Sequence, residues 1–146
     1  MSQRKTEDAA KSDLLKIAKV RHQVASAKMA RLVRDLRAAE RKEQAMDEQL
    51  ARLCQETKLI QAACLDKVTD NLHGIAIYRG QLRVIDLELR RTEVRKDMQA
   101  EECSGLRLIL STERKRLEHL EIRIDLYKKM QRQVRIREID SMDDQD

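Results

Sequence analysis

The sequence predicts an all-α protein made of two long helices in an antiparallel coiled-coil hairpin. Three observations predict it. The 146 residues include no Pro, no Phe and no Trp, only three Gly and two Tyr, so helix breakers and the aromatic rings that fill most globular cores are both scarce. Charged residues make up 39% of the chain, the composition of helices that bury only a narrow apolar stripe. The Leu, Ile, Val and Ala that remain recur in heptads, and this frame slips by four residues near the middle of the chain.

The first heptad segment runs from Leu15 and Ala18 to Cys64 and Lys67. Its seam passes through Leu32, Leu36, Leu50 and Leu53, with His22, Glu43, Thr57 and Lys67 as polar members. The second runs from Ile75 and Tyr78 to Tyr127 and Val134, through Leu82, Leu89, Leu110 and Leu117. Thr92, Lys96, Gln99 and Glu113 are its polar members. Periodicity of 3.5 residues sustained for about eight heptads is specific to coiled coils.

The slip falls at Thr69-Asp70-Asn71-Leu72-His73-Gly74. Asn and Gly tolerate the left-handed conformation that ends helices, so the slip reads as a turn. The expected organisation is a flexible N-terminus at 1–12, a helix at 13–70, a turn at 71–74, a helix at 75–138 and an acidic flexible tail at 139–146. Ser12 is the expected N-cap of the first helix, with Thr6 as the choice for an earlier start.

Antiparallel pairing sets first-position residues of one heptad against fourth-position residues of the other, so facing residue numbers add to a constant. A total of 142 places Leu32 on Leu110, Leu36 on Leu106, Leu53 on Leu89 and Ile60 on Leu82. Three polar seam residues then share one band, with Glu43 on Gln99 and Lys96 on Met46. This band is expected to be locally soft. Glu113, set against Met29, lies outside it. A total of 149 would bury Glu113 on Leu36 and Lys96 on Leu53, an unfavourable burial of charge against apolar side chains. The first register is therefore expected. It gives a thin rod of modest stability, with fraying expected at the slim end built on Ala18, His22 and Ala25.

The residues carry no recognisable chemistry, and no catalytic, cofactor-binding or metal residue is assigned. Cys54 and Cys64 lie ten residues apart on one helix, about 15 Å along its axis, too far to share a metal or a disulfide. His22, His73 and His119 lack the neighbours a zinc site requires. Gly80 and Gly105 are isolated and form no phosphate-binding loop, and Ser104-Gly105 reads as a local bend or weak point. The chain is expected not to be an enzyme. No stretch of 18 apolar residues is present, and the N-terminal residues do not resemble a signal peptide, so a cytoplasmic location without membrane insertion is expected.

Charge is unevenly distributed. Between Leu15 and Lys42 there are nine Lys or Arg and two acids. A second basic run, Lys128, Lys129, Arg132, Arg135 and Arg137, contains no acid, and the chain ends on Asp140, Asp143, Asp144 and Asp146. Hairpin pairing brings the second run beside the start of the first helix. Lys28, Arg31, Arg34, Arg37, Arg41, Lys128, Lys129 and Arg132 are the candidate partner-binding residues. The partner would be an acidic or polar protein surface. Nucleic acid is the weaker alternative, because base-stacking aromatics and the recognition pattern of basic-zipper helices are both missing.

The stretch Leu14-Leu15-Lys16-Ile17-Ala18-Lys19-Val20-Arg21 resembles the Leu-Leu-Arg-Ile-Lys-x-x-Arg opening of YscO-like proteins, with Ala18 where that group often has Lys. The continuation ARLVRDLRAAERKEQ is also similar. Together with a two-helix rod whose paired termini form a basic end, this resembles the central-stalk family of type III secretion, the FliJ protein of flagella and the YscO-like proteins of injectisomes. The resemblance implies a stalk docked on a hexameric export ATPase, approaching an export-gate membrane protein and escorting secretion chaperones, without a small-molecule substrate. It carries over no individual functional residue.

A generic coiled-coil scaffold or adaptor is the alternative. Leu14, Val33, Val68, Val84, Leu87, Val94 and Ile109 lie off the seam and could widen its core or form a second contact surface. A scaffold of that kind would self-assemble at micromolar concentration, whereas a stalk would remain a monomer when free.

Overall fold

The computed structural model describes residues 2–67 and 72–144, and the side chains of 2–65 and 74–144. It contains two helices, α1 (Ser2–Lys67) and α2 (Leu72–Asp143), packed against each other as a helical hairpin. There is no strand among the described residues. The expected fold class is the one observed.

Burial follows the heptads. Every seam position from Leu15 to Cys64 and from Ile75 to Val134 is buried or half-buried, and nearly every other position is exposed. Leu15, Ala18, Ala25, Ala39 and Leu53 of α1 and Ile85, Cys103, Leu110 and Leu120 of α2 form the core. A seam one or two side chains wide is all that two helices can enclose, which is why 39% charge is compatible with a folded chain.

Contacts between the helices fix the register. Lys28 pairs with Glu113, His22 with Glu121, Asp47 with Lys96 and Glu40 with Arg107. Gln99 Nε2 donates to the carbonyl of Ala39. The residue numbers of these pairs straddle 142 and all total less than 149. The pairing that keeps charge away from Leu is thus the one adopted.

The helices run further than the sequence predicted. α1 begins at Ser2 and α2 ends at Asp143. The seam continues outward in the same register, with Asp8 and Lys11 against Gln131 and Val134, so helix is favoured beyond 13 and 138. Ser12 and Thr6 lie inside α1 and cap nothing. The Thr6 hydroxyl donates instead to the carbonyls of Ser2 and Gln3. α2 starts at Leu72, so Gly74 is helical and no described residue has a positive φ. The Asn71 turn centre lies outside the described residues.

The chain divides into two compact units. The terminal unit comprises 1–33 and 108–146, and the inner unit comprises 34–107. Each contains a length of both helices.

Candidate partner-binding surface

The polar seam residues of the inner unit are well matched. Gln99 is buried and its amide donates to the Ala39 carbonyl at 3.1 Å. Lys96 leaves the seam to pair with Asp47 on α1, which raises its pKa above the ordinary lysine value. Cys103 is wholly buried, and that burial, with the Glu43 carboxylate beside it, pushes its thiol pKa up. A thiol held neutral and out of solvent is packing material rather than a nucleophile. The band expected to be soft therefore has partners for its polar groups.

Polar stress sits elsewhere, in the terminal unit. The Glu113 side chain occupies a seam position and is only 8% exposed. Its Oε1 accepts a 2.8 Å hydrogen bond from Lys28 Nζ, while its Oε2 is buried without a hydrogen-bond partner. The Lys28 hydrogen bond holds this carboxyl below its usual range, against the burial that pushes it up. The charges of Lys28 and Arg116 add to the lowering. Sequence reasoning saw Glu113 as an unfavourable layer on Met29. It did not see that Lys28, the residue before Met29 on α1, would reach over to pair with it.

That pairing changes how the candidate residues read. Lys28 is committed to Glu113, although its side chain remains half exposed. Arg31, Lys128, Lys129 and Arg132 are exposed in the same unit. Arg34, Arg37 and Arg41 are exposed in the inner unit. In the observed register Lys128 to Arg132 lie opposite residues 10–14 of α1. They accompany Lys11 and Lys16, and stand roughly 20 Å along α1 from Lys28 and Arg31. The second basic run lies wholly in the terminal unit, the first is divided between the two units, and the two do not form one cluster.

Charge divides between the units more sharply than the runs suggest. The inner unit holds 14 basic and 14 acidic residues, so its net charge is zero. The terminal unit holds 17 basic and 12 acidic residues, which accounts for the whole net charge of +5. Five of those 12 acids are Glu138, Asp140, Asp143, Asp144 and Asp146, at the extreme end of α2 and beyond it. Arg21, Lys115, Arg116, His119 and Arg123 line one open groove on this unit together with Thr112 and Leu120. This convergence escaped the sequence reading, which looked for basic runs along one helix. The groove combines Arg21 of α1 with basic residues spaced over about two turns of α2.

Of the off-seam apolar residues, Leu14, Val84, Leu87, Val94 and Ile109 are exposed, so they do not widen the core. Val33 is half-buried, and the side chain of Val68 lies outside those described. Cys54 is exposed and Cys64 half-buried. Among the described residues no group of His, Cys, Asp and Glu is placed to hold a metal ion, and no helix is long and apolar enough to cross a membrane. No family model, curated protein or solved structure matches this chain.

Proposed function

We propose that this chain is a non-enzymatic coiled-coil stalk or adaptor of a bacterial type III secretion export apparatus. In this reading its basic terminal unit docks on the hexameric export ATPase, and the chain links that ATPase to the export gate and to secretion chaperones. The observation that carries it is the charge division: net +5 on the terminal unit against zero on the inner one. A surface of exposed Arg and Lys can sit against acidic and polar side chains without deep burial. That favours fast, salt-sensitive association over a permanent interface. The resemblance of residues 14–44 to the opening of the stalk proteins supplies the identity of the partner.

The test compares the purified export ATPase with duplex DNA and RNA as ligands of the free chain. The expected result is ATPase binding and stimulation, weakened when Arg31, Lys128, Lys129 and Arg132 are changed to Glu. The same reversal at Arg79, Arg83, Arg91 and Arg95 in the inner unit should matter far less. Tight nucleic-acid binding without ATPase binding would contradict the stalk reading. A second reading, a generic coiled-coil scaffold, is favoured by the exposed Val84, Leu87 and Val94 of the inner unit. Self-assembly of the free chain at micromolar concentration would support that reading instead.

A further inference from the structure

One side of the terminal unit combines apolar and basic residues in a way the seam does not require. Leu14, Ile17 and Val24 of α1 and Ile109 and Leu126 of α2 flank the seam on this side and are 46–65% exposed. Between them lie Arg21, Arg116 and Arg123, which meet in a single groove with His119. None of these three arginines makes an ion pair among the described residues. The flanking positions on this side hold no acid from Ala10 to Arg31 of α1 or from Ile109 to Arg137 of α2. Glu118, Glu121 and Asp125 fall on the opposite side, where Glu121 pairs with His22.

A solvated helix face normally mixes both charge signs and spaces its apolar residues singly. Here Ile17 and Val24 lie four and three residues from Arg21 on the same face of α1. Leu126 follows Arg123 by three residues on α2. Leu14, Ile17 and Val24 therefore form a short apolar stripe on α1 beside the groove, and Leu126 stands alone on the α2 side next to Arg123. That is the complement of a third helix carrying its own apolar stripe edged with carboxylates.

We propose that this face of the terminal unit docks an acidic amphipathic helix of a partner protein, completing a local three-helix packing. Leu14, Ile17, Val24 and Leu126 take the apolar stripe of the incoming helix, and Arg21, Arg116 and Arg123 pair with Glu or Asp along its edges. A second copy of this chain is a poor occupant of the same face, because a symmetric contact would set arginines against arginines. An anionic bilayer is disfavoured because the chain has no Trp or Phe to anchor in a headgroup layer. Nucleic acid would use the arginines and leave the exposed Ile, Leu and Val without a role. The inference does not depend on the ATPase reading, and either can fail while the other stands.

The probe is a fluorescein-labelled three-heptad peptide with Leu at the first and fourth heptad positions and Glu at the flanking ones. Its counterpart carries Lys in place of Glu. Anisotropy at about 0.15 M salt, where exposed charges are screened beyond about 8 Å, should show saturable binding of the acidic peptide. That binding should be at least about tenfold tighter than for the basic peptide. Ile17→Gln with Val24→Gln keeps the charge and should weaken binding about tenfold, because apolar burial is lost. Arg21→Glu with Arg116→Glu should weaken it by at least as much. Lys19→Glu with Arg114→Glu makes the same charge change on the opposite side and should cost less than about threefold. All of these residues are exposed, so helicity by circular dichroism should match the wild type in every variant.

Equal binding of both peptides, or no binding, overturns the proposal. So does an equal effect of the two charge reversals, which would reduce the face to bulk charge. Sedimentation showing a dimer that Ile17→Gln with Val24→Gln returns to monomer makes a second copy the occupant. Displacement of the acidic peptide by phosphatidylserine vesicles or by duplex DNA would assign the face to those surfaces instead.

Discussion

Replacing Gly105 with Ala should stabilise the hairpin by about 1 kcal/mol, the difference in helix propensity between the two residues. Gly105 lies inside α2, is exposed and has an ordinary negative φ, and a Cβ added there meets nothing within 4 Å. The substitution therefore brings no clash and no strained backbone. Its gain comes from the freedom that glycine keeps in the unfolded chain. For a protein of this size that corresponds to a rise in Tm of about 2–4 °C. Gly80 has the same surroundings, with nothing within 4 Å of an added Cβ. It lies 25 residues away, about 37 Å along the helix, so the two effects should add to about 2 kcal/mol. The assay is urea and thermal unfolding followed by far-ultraviolet circular dichroism, with each single variant and the double. A neutral or destabilising Gly105→Ala beside a stabilising Gly80→Ala would refute the reasoning. It would restore the reading of Ser104-Gly105 as a bend that the fold needs.

Other positions give equally direct expectations. Leu53→Ala and Leu110→Ala, both 6% exposed in the seam, should each cost about 2–4 kcal/mol, whereas Leu108→Ala, exposed on α2, should change stability by less than about 0.5 kcal/mol; urea midpoints decide. The Glu113 carboxyl is held below its usual range. Its contribution is therefore complete above the ordinary carboxylate range and should be lost as pH falls through the folded value, so wild type and Glu113→Gln should converge in Tm on acidification. A wild-type advantage that grows in acid would show the sign to be wrong. Thiol labelling of the native chain should proceed fastest at Cys54, slower at Cys64 and slowest at Cys103, the order of their exposure. Prompt labelling of Cys103 would mean that the seam opens readily at that layer.

The fold was legible because one periodicity governs nearly every residue. Leu, Ile and Ala at heptad spacing specify both helices, and the cost of setting Glu113 or Lys96 on Leu selects the register. The helix ends were less legible. Cap chemistry pointed to Ser12, but the outward continuation of pairing at Asp8, Lys11, Gln131 and Val134 outweighs one cap, and it involves polar residues that a search for apolar seams ignores. The candidate surface was legible only in part. Counting Lys and Arg along α1 found a basic stretch, yet Lys28 is taken by Glu113 and the other basic run pairs further toward the termini. Arg21, Arg116 and Arg123 come together from two helices, and only the register of pairing brings distant numbers to one groove.

That register underlies the separation of charge between the units and the composition of the proposed docking face, so its direct measurement matters most. In a background without Cys54, Cys64 and Cys103, Leu32→Cys with Leu110→Cys places one thiol on each helix at facing seam positions of the terminal unit. Mild oxidation followed by non-reducing electrophoresis should give an intramolecular disulfide in nearly all of the protein. Leu53→Cys with Leu89→Cys should behave identically in the inner unit. Preferential coupling of Leu32→Cys to Leu117→Cys would shift the pairing by one heptad and disperse the arginine groove. Products linked only between chains would replace the hairpin with a dimer of extended helices.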